Sequence, residues 1–296
     1  MKKILLSTLI ILYVYGVCNE TSVSQPLTNN QYAIAKMKEE LAKYKDDQSI
    51  YMSLCLLYSN EKDYDNMLDM MRQVVSRFSR DTNIAATIND YAMEYSRKGE
   101  YDIALKIIDV TLSKYKRDQD AAIIKSEILL KKGDVNGNIS FLSSFLKKNP
   151  EESLLYDRLA DSYIYKKDYQ NAFETIRTIQ DKHIDNIYYY FLEAMILQMT
   201  DKEKAIKYFE AYLEKIQFVE EYGPRIKLAQ KINKMIRSND STINDYEELI
   251  EYMLKNNVPK SYILIQARYA LKDYPDNAYL EKVINDIYTQ IGIKES

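Results

Sequence analysis

An all-α chain of helix–turn–helix repeats is the fold class this sequence predicts, on three observations. A helical pattern returns at 34 residues, from Tyr101 to Val135 and again from Val135 to Tyr169. Glycine (6) and proline (5) are scarce in 296 residues, and Pro150, Pro224, Pro259 and Pro275 fall between periodic stretches, where a residue without an amide proton breaks no helix. No run alternates apolar and polar residues as a half-buried strand would.

The chain opens with Lys2 and Lys3 ahead of a nearly unbroken apolar run over 4–17, then turns polar at Asn19, Glu20, Thr21 and Ser22. That order matches a secretory signal over residues 1–17, and the run is shorter than the roughly 20 residues of a membrane-spanning helix. Cys18 at its end resembles the cysteine of a bacterial lipoprotein signal, which becomes the lipidated first residue. Tyr15 departs from the aliphatic position of that pattern. Ordinary cleavage after Gly16, which leaves Cys18 a thiol, therefore stands beside lipidation. The expected location is the periplasm or outer cell envelope, with an N-terminal lipid anchor to the membrane if Cys18 is modified. Residues 18–29 are polar, contain Pro26 and lack helical periodicity, as a tether does. With Cys18 lipidated only Cys55 remains, so no intramolecular disulfide forms.

A helical repeat domain is expected over 30–291, with a short tail at 292–296. Tyr32, Ile34, Ala35, Met37, Leu41 and Ala42 form an amphipathic opening cap. The first unit, 48–80, places Tyr51, Leu54, Cys55, Tyr58 and Tyr64 in register, with Met67 at a small-residue offset. The second, 85–117, has Ile88, Tyr91, Ala92, Tyr95, Tyr101 and Ala104, and Gly99 where the turn needs positive φ. The third, 119–150, keeps Gly133, Val135, Leu142, Phe145 and Pro150 but carries Lys125 at an apolar offset. The fourth, 153–184, is the clearest. Less regular units follow at 187–215, with Ala205, Phe209 and Tyr212, and at 244–275, with Ile263, Ala267 and Ala270. Across the irregular stretch 216–243, residues 224–238 predict one unpaired amphipathic helix. Leu280, Val283, Ile284, Ile287 and Tyr288 predict a closing cap.

In the fourth unit Tyr156, Leu159, Ala160, Tyr163, Tyr169, Ala172, Ile176 and Ile179 occupy successive offsets of one motif. It resembles the tetratricopeptide repeat, W-x2-L-G-x2-Y followed by A-x3-F and a proline. The resemblance covers most of 50–275 and implies a right-handed superhelical solenoid whose first helices line a concave groove for a partner segment. The matching groove offsets are Met52 and Leu56, Asn89 and Met93, Ile123 and Glu127, then Asp157, Asp161 and Tyr165, and Tyr190 with Ala194 and Leu197. Chaperone-binding members clamp a carboxylate with lysine, asparagine and arginine, a set these acidic and apolar residues do not reproduce. Asp157, Asp161 and Glu127 beside Tyr165 instead favour a basic or amphipathic protein or peptide. The i,i+4 spacing of the two aspartates says only that they share a face, so a plain solvated face stands as the other explanation.

Composition narrows the function. The chain is 46% hydrophobic and 29% charged, enough to fold as one extended array. Tyr 28 against Trp 0 fits either a biased genome or a tyrosine-lined groove. Net charge is −3, and no basic patch interleaved with aromatics exists, so nucleic acid is not an expected partner. His183 is the single histidine and has no local catalytic partner; no GxGxxG, GxxxxGK[ST] or GxSxG occurs. No metal, no cofactor and no enzymatic activity is expected. Two classes remain: an interaction scaffold of the bacterial cell envelope, and an envelope protein binding a glycan or small ligand, which the absence of tryptophan disfavours.

Overall fold

The computed structural model describes residues 28–181, 187–216, 223–238 and 240–293. The signal segment, Cys18, His183 and most of the tether lie outside them. Among the described residues there are fifteen α-helices and no strand: α1 (Asn29–Lys43), α2 (Gln48–Asn60), α3 (Tyr64–Arg77), α4 (Thr82–Arg97), α5 (Tyr101–Lys114), α6 (Gln119–Lys131), α7 (Val135–Lys148), α8 (Ser153–Tyr165), α9 (Tyr169–Gln180), α10 (Tyr188–Leu197), α11 (Lys202–Ile216), α12 (Gly223–Ser238), α13 (Ile243–Lys255), α14 (Lys260–Ala270) and α15 (Ala278–Ile291).

Local chemistry marks where these helices start and stop. Asp47, Asp63, Asp81, Asp134 and Asp168 each accept a first-turn amide. Thr28 and Thr242 form reciprocal capping boxes with Gln31 and Asp245. Successive helices are joined through a left-handed residue at Lys62 (φ 57°), Gly99 (78°), Gly133 (83°), Lys167 (63°) and Asn257 (51°). At each of them the following amide returns to a carbonyl of the helix just ended: Asp63 to Tyr58, Glu100 to Tyr95, Asp134 to Leu129, Asp168 to Tyr163 and Val258 to Met253, all within 2.9–3.0 Å. The same bond that terminates the first helix positions the cap of the second at 63, 134 and 168.

Packing divides the chain into two compact units, with the boundary inside α6 between Ile128 and Leu129. In the N-terminal unit α1 lies on α2, α2 pairs with α3, α4 pairs with α5, and α3 also meets α5. Ala92 and Ala104 are fully buried, which lets neighbouring backbones close up. Cys55 is a core residue whose Sγ faces the Met67 carbonyl at 3.8 Å, and burial pushes its thiol up to about 12. Tyrosines fill the gaps: Tyr51 meets Phe78 edge-on at 5.8 Å and Tyr64 meets Tyr95 at 5.7 Å. Their hydroxyls then tie one pair to the next, Tyr64 donating to Glu100 at 2.7 Å and Tyr115 to the Ser79 carbonyl at 3.3 Å. Lys125, out of place by pattern, is half-buried and reaches Asp109 at 2.7 Å.

The C-terminal unit departs from a simple array in two places. The helix expected to be unpaired, α12, packs on α11. Leu228, Ala229, Ile232 and Ile236 are its buried stripe, and Arg237 pairs with Glu210. The helix expected to close the array, α15, instead pairs with α14, which also touches α8 and α10. The far end of α15 turns through Gly292 (φ 78°) against the α6–α7 turn. A Cβ at Gly292 would sit 2.4 Å from the Lys131 carbonyl oxygen, and one at Gly133 would sit 2.9 Å from the Gly292 carbonyl oxygen. Only glycine at both positions allows that approach.

Candidate functional site

The candidate partner-binding residues divide between the two units, and each unit treats its first helices differently. In the N-terminal unit α2, α4 and α6 present Met52, Leu56, Asn89, Met93 and Glu127. Leu56 is 46% exposed, while Met52, Met93 and Glu127 are half-buried. Asn89 is buried, and its Oδ1 accepts no hydrogen bond among the described residues. Met52, Leu56 and Met93 are thus the partly exposed apolar side chains among them, while the Asn89 amide lies below the surface. Such residues suit a segment that brings apolar side chains.

In the C-terminal unit the corresponding face is covered by the chain itself. Asp157, Asp161 and Tyr165 share one face of α8, as their spacing requires, but α14 lies over it. The Ser261 hydroxyl of α14 stands beside the Asp161 carboxyl, and Tyr262 sits among Asp157, Asp161, Tyr165 and Tyr188. Burial pushes the Asp157 carboxyl up to about 7, with the Asp161 charge adding to the effect. Burial also raises Asp161, to about 6, and Ser261 and Arg158 hold it back from going further. Asp157, Asp161 and Tyr165 are each half-buried, so the face is not a plainly solvated one. Oδ1 of Asp157 has no hydrogen-bond partner among the described residues.

Tyr190 does not join this group. Its ring lies 6.0 Å from that of Tyr208 and beneath Lys215 at 5.4 Å, toward α11. Tyr188, two residues earlier, faces the aspartates instead, with Arg225 over its ring at 4.7 Å. Glu193, also on α10, is fully buried and pushed up to about 7 by burial, opposed by Arg177 and Lys204. Its place at the centre of an apolar helix was the signal for a buried acid.

Arg268 of α14 holds the covering helix down. Buried to 8% exposure, it donates through Nη1 to the Ile164 carbonyl at 2.7 Å and the Tyr169 hydroxyl at 3.2 Å. Through Nη2 it reaches the Tyr165 carbonyl at 3.4 Å and the Tyr288 hydroxyl. Tyr288 donates in turn to the Tyr165 carbonyl at 2.8 Å. One guanidinium thus reaches the last two carbonyls of α8, of which Ile164 also accepts the Lys167 amide at 2.9 Å, where a cation meets the negative end of the helix dipole. Among the described residues no group of acids, cysteines and histidines is placed to hold a metal ion, and no helix is long and apolar enough to cross a membrane.

No family model and no curated protein matches the chain. Solved structures similar to it include the C-terminal part of a TPR repeat-containing protein from Cytophaga hutchinsonii, at 17% identity and a TM-score of 0.44, covering 86% of this chain and 95% of that one. A tetratricopeptide repeat protein from Parabacteroides merdae matches at 12% identity and a TM-score of 0.42, covering 86% and 99%. YrrB, described as a TPR protein with an unusual peptide-binding site, matches at 12% identity and a TM-score of 0.42, covering 67% and 97%.

Proposed function

We propose that this chain is a non-enzymatic protein–protein interaction scaffold of the bacterial cell envelope, engaging a partner segment on the first-helix face of its N-terminal unit. The contrast between the two units carries this reading. In the C-terminal unit the first helices α8 and α10 accept a helix, α14, that lays aromatic, hydroxyl and guanidinium groups against them. The N-terminal unit offers first-helix residues that no helix among the described residues covers in that way, with Leu56 exposed and Met52 and Met93 half-buried. An amphipathic segment placed there would bury Met52, Leu56 and Met93. The apolar leader at 4–17 supports export, and Cys18 is the residue that would carry a lipid anchor.

The test is partner capture from a native envelope extract by the exported chain and by a Leu56→Glu, Met93→Glu variant. Both positions are partly exposed, so the charges leave the core intact. A defined complex recovered by the parent and depleted at least about tenfold in the variant, the loss of roughly 1.4 kcal/mol of binding, is the expected result. Equal recovery by both, or recovery by neither, overturns the assignment to this face.

A further inference from the structure

The contact between α14 and the inner side of α8 and α10 concentrates polar groups. Elsewhere in the C-terminal unit they are scattered among apolar and aromatic side chains, as where Asn138 of α7 donates to Ser162 of α8 at 2.8 Å. Here α14 contributes Ser261, Tyr262, Gln266 and Arg268, and α8 and α10 contribute Asp157, Asp161, Tyr165, Tyr188 and Met195. Several of these groups are imperfectly matched: Asp157 Oδ1, Ser261 Oγ and Arg268 Nε make no geometrically sound hydrogen bond among the described residues, and Gln266 finds only the Met195 sulfur at 3.6 Å. A seam that is polar and incompletely satisfied is the kind along which parts of a protein separate first. On its outer sides α14 stays with α13 and α15, so these three helices form the body that would move, about the end held by Arg268, Tyr288 and Gly292.

We propose that the α13–α15 block is a proton-controlled lid on the face of α8 and α10, seated while the Asp157–Asp161 pair retains a proton and parted when both carboxylates ionise. The two acids stand one turn apart on α8, half-buried beneath α14, so full ionisation places two like charges in a space only partly open to water. The groups around them do little to offset that charge. From α8 these are Arg158 and Tyr165; from α10, Tyr188 and Tyr189; from α14, Ser261 and Tyr262. Arg225 of α12 lies over the Tyr188 ring, and Arg268 is directed to the end of α8 with Tyr288 of α15. Among the described residues Arg158 is the cation that eases Asp161 directly. The elevated carboxyls mean that the seated state binds more protons than the parted one. Lowering the pH through the neutral region therefore seats the lid, and raising it parts the lid. Parting bares Asp157, Asp161, Tyr165 and Tyr188, an acidic and aromatic surface. The inference concerns the C-terminal unit and stands whether or not the N-terminal unit binds a partner.

Amide hydrogen exchange of the full chain, read by mass spectrometry on either side of the transition, at about pH 5 and about pH 8.5, tests it. After correction for intrinsic exchange, α14 amides should exchange at least about tenfold faster at the higher pH, while α9 and α11 keep their protection. The Asp157→Asn, Asp161→Asn variant, which has no charge to lose, should protect α14 equally at both. If that variant does not fold, Asp161→Asn alone should show a smaller pH difference than the parent, because burial still raises Asp157 but no like charge stands beside it. Equal corrected rates in the parent, a pH difference that persists in the double Asn variant or is undiminished in Asp161→Asn, or α9 and α11 accelerating in step with α14 would each overturn the lid.

Discussion

Lys62 stands in the left-handed turn conformation that Gly99 and Gly133 adopt elsewhere, at φ 57° against 78° and 83°. For a side chain bearing a Cβ this conformation costs roughly 1–2 kcal/mol, of which glycine would recover part and lose some again through its freer unfolded chain. Lys62 is exposed, so Lys62→Gly should stabilise the N-terminal unit by about 0.5–1 kcal/mol. The mirror change Gly99→Ala should destabilise it by a similar amount, since no atom lies within 4 Å of the added Cβ and the cost is conformational alone. Denaturant midpoints of both variants check the pair of signs. Gly99 was legible as a turn from its place in the pattern. Lysine does not advertise positive φ, and only the shared Lys-Asp-Tyr order at 62–64 and 167–169 marks the equivalent turns.

At the scale of elements, the helices were legible because caps, turn residues and apolar stripes are local, while the partner of each face is not. Asp157, Asp161 and Tyr165 share a face by spacing, and spacing says nothing about what covers it. The missing information was in α14. Residues 261–268 are buried on every side, and its run of Tyr262, Ile263, Leu264 and Ile265 is apolar all round, as only a helix enclosed by neighbours is. A capping stripe in α15 likewise did not reveal that Tyr288 and Gly292 return to α8 and the α6–α7 turn. Arg268 fastens this arrangement, and Arg268→Met would leave the Ile164 carbonyl without its charged donor. We expect a loss of about 2–4 kcal/mol in the stability of the C-terminal unit. Arg268→Lys should recover less than half of it, because one ammonium cannot reproduce a fork that meets two carbonyls and two phenols. Equilibrium unfolding followed by tyrosine fluorescence measures both; full recovery by lysine would mean that charge alone, and not the fork, holds α14.

For the whole molecule, the carboxyls raised by burial, Asp157 and Asp161 toward 7 and 6 and Glu193 toward 7, all belong to the C-terminal unit. Each is elevated above its unfolded value near 4, so the folded unit binds more protons than the unfolded chain between about pH 4 and 7. The sign follows from that difference. Stability is highest below the unfolded values, falls as pH rises through the window, and is lowest above the folded ones, the reverse of a protein held by ion-paired carboxylates. The exposed Asp245, lowered by its cap bonds to Thr242, works in the opposite sense at the surface. Because the aspartates titrate as a coupled pair, their contributions do not simply add. An increase on the order of 3 kcal/mol between about pH 8 and about pH 5 is the expected scale. Thermal unfolding of the full chain at several pH values should therefore contain a transition for the C-terminal unit that moves upward as pH falls, and Asp157→Asn with Asp161→Asn should flatten most of that movement. A C-terminal transition that instead moves downward with falling pH would mean that these carboxyls are ionised and well solvated in the folded protein, and that α14 does not cover them in solution.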